Sequence, residues 1–204
     1  MKTPAVLSLT ALGLGTLPAY SEPVTYQIDP EHTYVSVEVP HIPAASYWRG
    51  KFNHTQSGLV SLDRQAHKGS IEVVIDTSSL DFGHEKLNET VRGAQFLDAV
   101  NYSTATFRAD TIKFQGDVPV EAVGVLTLHG VAKPLTLKIN SFKCIPDQFL
   151  KVERCGADVS GELDRSAFGI SSYAQMTGSA VKLAIQVEGL LRQASPVASL
   201  WPPR

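Results

Sequence analysis

A stretch of sixteen residues, 124–139 (GVLTLHGVAKPLTLKI), constrains the fold of this chain most strongly. Apolar residues alternate with others on both sides of its centre, which is the period of a β-strand. Gly130 can adopt a positive φ between the two halves, and Pro134 removes a backbone donor where the second strand begins. The segment therefore predicts an antiparallel hairpin with one apolar face, which the rest of the chain must cover. That face consists of Gly124, Leu126, Leu128, Leu135, Leu137 and Ile139.

The same alternation recurs between Val24 and Gly189, in runs separated by clusters of Gly, Pro, Asn and Asp. We count about eight or nine strands, which is the range expected for a small antiparallel barrel. The fold class is therefore predicted to be all-β. Besides the hairpin, the predicted strands cover residues 34–39, 70–75 and 181–188, with shorter candidates at 26–28, 48–62, 105–114 and 159–163.

One segment, from His84 to Ala99, breaks the strand pattern. Its apolar residues follow helical spacing, so we expect a single amphipathic helix inserted between strands. A helix that covers apolar surface is favoured, and a lid over one end of a barrel is the alternative. The apolar positions are Leu87, Val91, Ala94 and Leu97.

Composition favours one globular domain. A chain of 204 residues with 43% hydrophobic and 19% charged content can bury a sizeable core. The formal net charge is −2, and the lysines and arginines are scattered, so nucleic-acid binding has little electrostatic support.

The N-terminus has the features of a secretory signal peptide. An apolar run over residues 5–17 follows a lysine, and Ala19 and Ser21 are suitably small for cleavage before Glu22. The run is too short to span a bilayer comfortably, so an uncleaved anchor is the weaker alternative.

These features divide the chain into three parts. Residues 1–21 are predicted to be a cleaved signal peptide, residues 22–190 a folded barrel domain, and residues 191–204 a disordered, Pro-rich tail. We therefore expect a periplasmic or secreted protein without stable membrane insertion.

The only two cysteines, Cys144 and Cys155, are expected to form a disulfide, because export places them where disulfides persist. Their spacing suits a staple near the base of a hairpin. A redox pair or half of a metal site is disfavoured because the close C-x-x-C spacing is absent.

The sequence offers little sign of catalysis. It lacks a nucleophile elbow, a P-loop, a dinucleotide fingerprint and an H-E-x-x-H motif, so we predict no catalytic residue, no metal ligand and no enzyme activity. The segment 164–170 (DRSAFGI) is better explained by turn stabilisation and ion pairing at a strand end than by catalysis. Six histidines occur, and His41 is notable because it shares parity with the apolar face of its strand. The histidines are His32, His41, His54, His67, His84 and His129.

If the strands close, alternate side chains point inward and leave room for a packed core or for one small apolar ligand. Periodicity does not distinguish these two. The candidate ligand-lining residues are Val35, Val37, Val39, Phe52, Ile71, Val73, Phe107, Leu126, Leu128, Phe168, Leu183 and Ile185, with His41 as a polar contact at the mouth.

A series of motifs resembles the YceI-like, polyisoprenoid-binding family over roughly residues 22–190. The resemblance implies an elongated lipocalin-like barrel with a helix between strands, an interior that holds a long isoprenoid, and no catalytic residues. The motifs, in order, are HTYVSVEVPH from His32, RGKF from Arg49, VRGAQFLD from Val91, ATF from Ala105, GVLTLHGVAKPLTL from Gly124, LDRSAFGI from Leu163 and VKLAIQVEG from Val181.

We therefore expect an exported binding or carrier protein for an isoprenoid-type or similar amphiphilic lipid, such as a quinone or a polyprenol derivative. No cofactor is expected beyond that lipid, and a homodimer is left open. The alternatives are a lipid-modifying enzyme that uses His41 or His129 as a base, and a barrel without a cavity that acts through its surface in stress response.

Overall fold

A computed structural model of the protein describes residues 23–42 and 45–192. The predicted signal peptide and nearly all of the predicted tail lie outside these residues. The strands are β1 Val24–Ile28, β2 Tyr34–His41, β3 Ser46–Phe52, β4 Thr55–Asp63, β5 Lys68–Asp76, β6 Leu80–Asp81, β7 Thr104–Gln115, β8 Val118–Leu128, β9 Val131–Pro146, β10 Glu153–Asp164 and β11 Ala180–Leu191. The helices are α1 Glu85–Arg92 and α2 Ala174–Thr177, with 3-10 helices at Pro30–His32, Thr77–Ser79 and Arg165–Phe168.

Eight strands close an antiparallel ring in the order β1-β4-β5-β7-β8-β9-β10-β11. The ring closes because β1 pairs with β4 on one side and with β11 on the other. The remaining three strands, β2, β3 and β6, continue the sheet from β11. The predicted all-β antiparallel barrel of about eight strands is confirmed.

The length of β11 explains how three further strands join a closed ring. Its residues Lys182–Gln186 pair with β2, whereas Gly189–Leu191 pair with β1. Between β1 and β2 the chain turns through the 3-10 helix Pro30–His32, where the side chain of Asp29 accepts a hydrogen bond from the backbone N of Glu31. β1 and β2 therefore share one neighbour, and β2 extends the wall beyond the ring closure.

The hairpin predicted from residues 124–139 is formed by β8 and β9. His129 and Gly130 have φ values of 51° and 72°, so both turn residues are in the left-handed region, as a two-residue type I′ turn requires. Glycine is also needed for space, since a Cβ on Gly130 would lie 2.7 Å from Cε1 of Tyr102. Pro134 lies inside β9 opposite Val125 rather than at the strand's start, because pairing already begins at Val131.

Two predicted boundaries were wrong. The candidate strand 48–62 is two strands, because Asn53 and His54 leave the ladder and bond to the backbone of Ser79 and Asp76 instead. The helix expected over 84–99 ends at Arg92, and the chain continues in turns to residue 101. None of the helices in the described part of the chain has the length and hydrophobicity that a bilayer-spanning helix needs.

One end of the barrel, which we call the closed end, is held by covalent and ionic links. Cys144 and Cys155 are cross-strand partners of β9 and β10 and form the predicted disulfide. Cys155 packs in a buried cluster with Tyr26, Leu62 and Ile112.

An ionic network reinforces the closed end. The guanidinium of Arg154 lies 2.8 Å from carboxylate oxygens of Asp29, Asp147 and Glu188. Asp147 also accepts hydrogen bonds from two backbone amides of its own turn. These amide bonds, together with Arg154, hold the pKa of Asp147 below its usual value.

Candidate functional site

The barrel encloses a cavity of about 710 Å³. This volume is within the range of about 300–1,000 Å³ that small-molecule sites occupy. Its wall consists mainly of Val, Ile, Leu and Phe side chains from the inward faces of the strands. The interior is therefore a lined pocket rather than a completely filled core.

Twelve of the thirteen residues predicted from strand parity line this cavity. Their positions agree with the geometry of a ligand-lining wall. They are Val35, Val37, Val39, His41, Phe52, Ile71, Val73, Phe107, Leu126, Leu128, Leu183 and Ile185.

Phe168 is the exception. It lies in the 3-10 helix Arg165–Phe168 rather than on a strand, is 2% exposed, and packs in the main core without lining the cavity. Its backbone carbonyl lies 3.1 Å from Nδ1 of His129. Strand parity has no meaning in a 3-10 helix, which is why the prediction for Phe168 was wrong.

The cavity is deep and runs nearly the length of β11. The lining residues of this strand extend from Val181 to Gly189. Eight steps of about 3.3 Å give about 26 Å along the strand, and a tilt of about 40° reduces this to about 20 Å along the barrel axis. Gly189 lies opposite Cys155 at the closed end, so the cavity reaches the disulfide.

The opposite end of the cavity is its mouth. Five of the residues that line the cavity are exposed to solvent, and all five lie at α1 or in the segment around α2. α1 also contributes Leu87 and Val91, the residues that gave the helical spacing in the sequence. This helix therefore contributes to the cavity entrance as well as covering apolar surface. The exposed lining residues are His84, Lys86, Thr90, Tyr173 and Gly178.

Aromatic rings are concentrated at the mouth. Trp48 on β3 makes edge-on contacts with His41 at 5.8 Å and with His84 at 5.9 Å between ring centroids. Phe96 stacks with Tyr173 at 6.1 Å. All five rings line the cavity. Trp48, His84, Phe96 and Tyr173 were not predicted to line the cavity. His84, Phe96 and Tyr173 lie outside the strands, whereas Trp48 shares strand parity with Phe52 and could have been found by that signal.

Arg165 is an unusual component of the cavity wall, because it is charged and only 9% exposed. Its guanidinium donates hydrogen bonds to the carbonyls of Ile170, Ser172 and Gly178 and to Oγ1 of Thr177. These partners tie the 3-10 helix to the segment around α2.

The ion pairing expected of segment 164–170 is replaced, for Arg165, by these neutral partners. Asp164 instead accepts a hydrogen bond from the backbone N of Ser166, which stabilises the turn as predicted. Burial lowers the pKa of Arg165, and the Asp164 charge only partly opposes this shift.

His129, one of the two candidate bases, lies outside the cavity wall. It packs against Tyr102 with ring centroids 4.4 Å apart, and its φ is set by the hairpin turn. This arrangement gives His129 a structural role in the turn between β8 and β9.

One acidic cluster has the composition of a metal site. Asp29, His32 and Glu188 bring their ligand atoms within 4.8 Å of one another. However, Nη1 of Arg154 lies 2.8 Å from both carboxylates and already neutralises them. Burial raises the pKa of Asp29, but hydrogen bonds from Arg154 and His32 outweigh it and hold that pKa below its usual value. The cluster therefore belongs to the closed-end network.

Comparison with known proteins gives a consistent result across the domain. A family model described as a YceI-like domain matches residues 26–189. A UPF0312 protein of Vibrio parahaemolyticus is 34% identical over 180 residues, covering 83% of this chain and 94% of its own length. A UPF0312 protein of Vibrio vulnificus is 32% identical over 189 residues, covering 90% of this chain and 97% of its own.

Solved structures share the fold at lower identity. Burkholderia cenocepacia BcnA superposes with a TM-score of 0.66 at 23% identity, covering 79% of this chain and 98% of its own. A polyisoprenoid binding domain from Saccharophagus degradans, described as implicated in plant cell wall breakdown, gives a TM-score of 0.57 at 16% identity, covering 82% and 98%. At these identities the likeness is one of architecture.

Proposed function

The chain belongs to the YceI-like family, and from that premise we propose that it is an exported protein that holds an isoprenoid-type or similar amphiphilic lipid in its barrel. The lipid is bound by burial of its apolar chain, without covalent chemistry. The Saccharophagus degradans domain of the same architecture is described as polyisoprenoid-binding, which supports this class of ligand.

The observation that carries the proposal is the cavity of about 710 Å³ with its apolar wall. Each five-carbon isoprene unit that enters contributes about 4 kcal/mol, at about 0.8 kcal/mol per buried carbon. Association costs about 4–15 kcal/mol, so a few buried units are sufficient for stable binding. A polyprenol derivative or a quinone with an isoprenoid tail fits this requirement.

Two features support export to the periplasm or out of the cell. The sequence of residues 1–21 has the pattern of a cleaved signal peptide. The Cys144–Cys155 disulfide is stable in an oxidising compartment and would be reduced in most cytosols.

Extraction of the purified protein with organic solvent, followed by mass spectrometry, tests the proposal directly. We expect a lipid in a stoichiometric amount, or uptake of added isoprenoids by protein purified without one. A protein that contains no lipid and also fails to take up isoprenoids of several lengths contradicts the carrier function.

Replacement of His41 and His129 distinguishes a lipid carrier from a lipid-modifying enzyme. His41 lines the mouth, and His129 lies in the turn. We expect the His41→Ala/His129→Ala double variant to retain lipid binding, as measured by titration calorimetry. A turnover of bound lipid in the wild type that disappears in this variant would favour the enzyme instead.

A further inference from the structure

The charged residues in the cavity wall all have the same sign. Among the described residues that line the cavity, one lysine, Lys86, and one arginine, Arg165, occur, and none is an aspartate or a glutamate. A cavity made only for a neutral chain gains nothing from cations at its entrance, since charges are costly to desolvate. The charge pattern therefore carries information about the ligand's head group.

Arg165 provides a fixed charge. Its four hydrogen-bond acceptors are neutral oxygens, and they hold the guanidinium in one place. Its central carbon lies 5.6 Å from the centre of the Phe96 ring, which also lines the cavity. An arginine remains protonated in proteins, so this buried charge is compensated mainly by dipoles. An anion in the cavity would compensate it directly.

Lys86 provides a second charge from α1. It is exposed at the mouth, and no carboxylate of the described residues lies within 4.0 Å of its Nζ. Its flexible side chain can follow a head group that enters between α1 and α2, whereas Arg165 is fixed.

His84 adds a directed donor. Its Nδ1 accepts a hydrogen bond of 3.3 Å from the backbone N of Leu87 and caps α1. In a neutral imidazole the other nitrogen then carries the proton, so Nε2 is a donor. His84 lines the mouth beside Trp48, where a donor suits an anionic oxygen.

We propose that Arg165, Lys86 and His84 form a binding site for an anionic head group, a carboxylate or a phosphate, on the lipid whose chain fills the barrel. This inference rests on the proposed function and narrows its ligand from any amphiphile to an acidic one.

Two matched lipid pairs test the site by titration calorimetry. Farnesyl phosphate is compared with farnesol, and palmitate with hexadecanol, so that each pair differs only in its head group. We expect at least one acidic lipid to bind about tenfold or more tightly than its alcohol, because one charge-assisted hydrogen bond contributes about that much affinity. The pair that shows the preference identifies whether the acid is a phosphate or a carboxylate.

Variants are judged by the ratio of the two affinities rather than by affinity itself. Lys86→Gln and Arg165→Gln should each bring the ratio toward one. Lys138→Gln should not change it, because Lys138 is exposed and lies on β9 between the lining residues Leu137 and Ile139, so its side chain is on the outer face. Lys86 is exposed, so its variant keeps the test valid even if Arg165→Gln fails to fold.

The head-group site and the lipid-carrier function are contradicted by different results. Equal binding of acids and alcohols by the wild type, or a ratio unchanged in Lys86→Gln, overturns the head-group site and leaves the lipid carrier intact. Absence of binding by all four lipids contradicts the proposed function itself.

Discussion

The Ala157→Leu substitution should shorten the cavity from its closed end. Ala157 lines the cavity on β10, two residues above Cys155, and is half-buried. Its cross-strand partner is Val187 on β11. The lining residues of β11 run from Val181 at the mouth to Gly189 at the closed end, and Val187 lies six of these eight residues along the strand. A leucine at position 157, opposite Val187, therefore obstructs about the last quarter of a cavity about 20 Å deep.

The expected effect depends on ligand length. Leucine adds three carbons to the wall, and a chain that reaches this depth loses the burial of about three carbons. At about 0.8 kcal/mol each, the loss is about 2.4 kcal/mol, or roughly 60-fold in affinity. A chain that ends above position 157 should keep its affinity.

Titration with prenyl alcohols of increasing length measures this dependence. The variant should match the wild type for short chains and diverge beyond one threshold length. Ala184→Leu is the matched control, because it makes the same change on the exposed outer face of β11. Two results would refute burial of the ligand along the barrel axis toward the closed end. One is an equal loss of affinity for short and long chains, and the other is no loss of affinity for the longest chain that binds.

The stability of the lipid-free Ala157→Leu variant independently tests whether the space beside Ala157 is empty. If the space beside Ala157 is empty, the added side chain buries apolar surface and the thermal midpoint should stay constant or rise. In a completely packed core the same change would overpack the interior and lower stability by about 1–3 kcal/mol.

Three further predictions concern stability. Replacing both Cys144 and Cys155 with alanine should lower the free energy of unfolding by about 3 kcal/mol in urea titrations, given their separation of 11 residues; a loss below about 1 kcal/mol would contradict the entropic account. Burial, followed by a hydrogen bond to a glutamate, raises the pKa of Tyr26 to about 12. Its stabilising contribution should therefore be complete below pH 10 and decrease between pH 10 and about 12, and Tyr26→Phe should remove this part of the pH profile. Gly130→Ala should destabilise the protein by about 1–2 kcal/mol or more in thermal melts, since φ is +72° and the new Cβ meets Tyr102; an unchanged midpoint would show that the turn relaxes at no cost.

The part of the cavity wall that the strands form was predictable, because the alternation of apolar and polar residues is a local signal. In residues 124–139 the parity of Leu126, Leu128, Leu135 and Leu137 identified the inward face, and all four line the cavity. The sequence could not distinguish a cavity from a packed core. That difference depends on the shear and diameter of the closed barrel, which arise from pairings between distant strands such as β1 with β11.

The mouth was less predictable, because its residues come from irregular segments. Leu87 and Val91 follow the helical period, but the helix ends at Arg92, where the backbone N of the following Gly93 bonds to the carbonyl of Thr90. Phe96 lies beyond that end and still reaches the cavity. Neither parity nor the helical period extends through such turns, so the sequence predicted the wall of the site and missed most of its entrance.

The two ends of the barrel are closed by interactions of different strength. At the closed end a disulfide and three ion pairs to Arg154 act together with the pairing of β1 to both β4 and β11. At the mouth the cavity is covered by the segment around α2 and by α1, which has eight residues. A helix of this length is marginal in water, so α1 depends on the packing of Leu87 and Val91 against the cavity and on hydrogen bonds that Asn88 and Arg92 donate to Asp81 and Leu80.

This asymmetry gives the proposed lipid one route into the cavity, through the mouth. Opening the closed end requires breaking strand pairing and ion pairs together, whereas opening the mouth requires α1 to leave its apolar contacts and the hydrogen bonds that Asn88 and Arg92 make to the segment before the helix. A lipid chain in the cavity supplies Leu87 and Val91 with a packing partner, so binding and closure of the mouth stabilise each other. In the proposed complex the chain enters apolar end first toward Cys155, and its head group stays near Lys86, Arg165 and the histidines of the mouth.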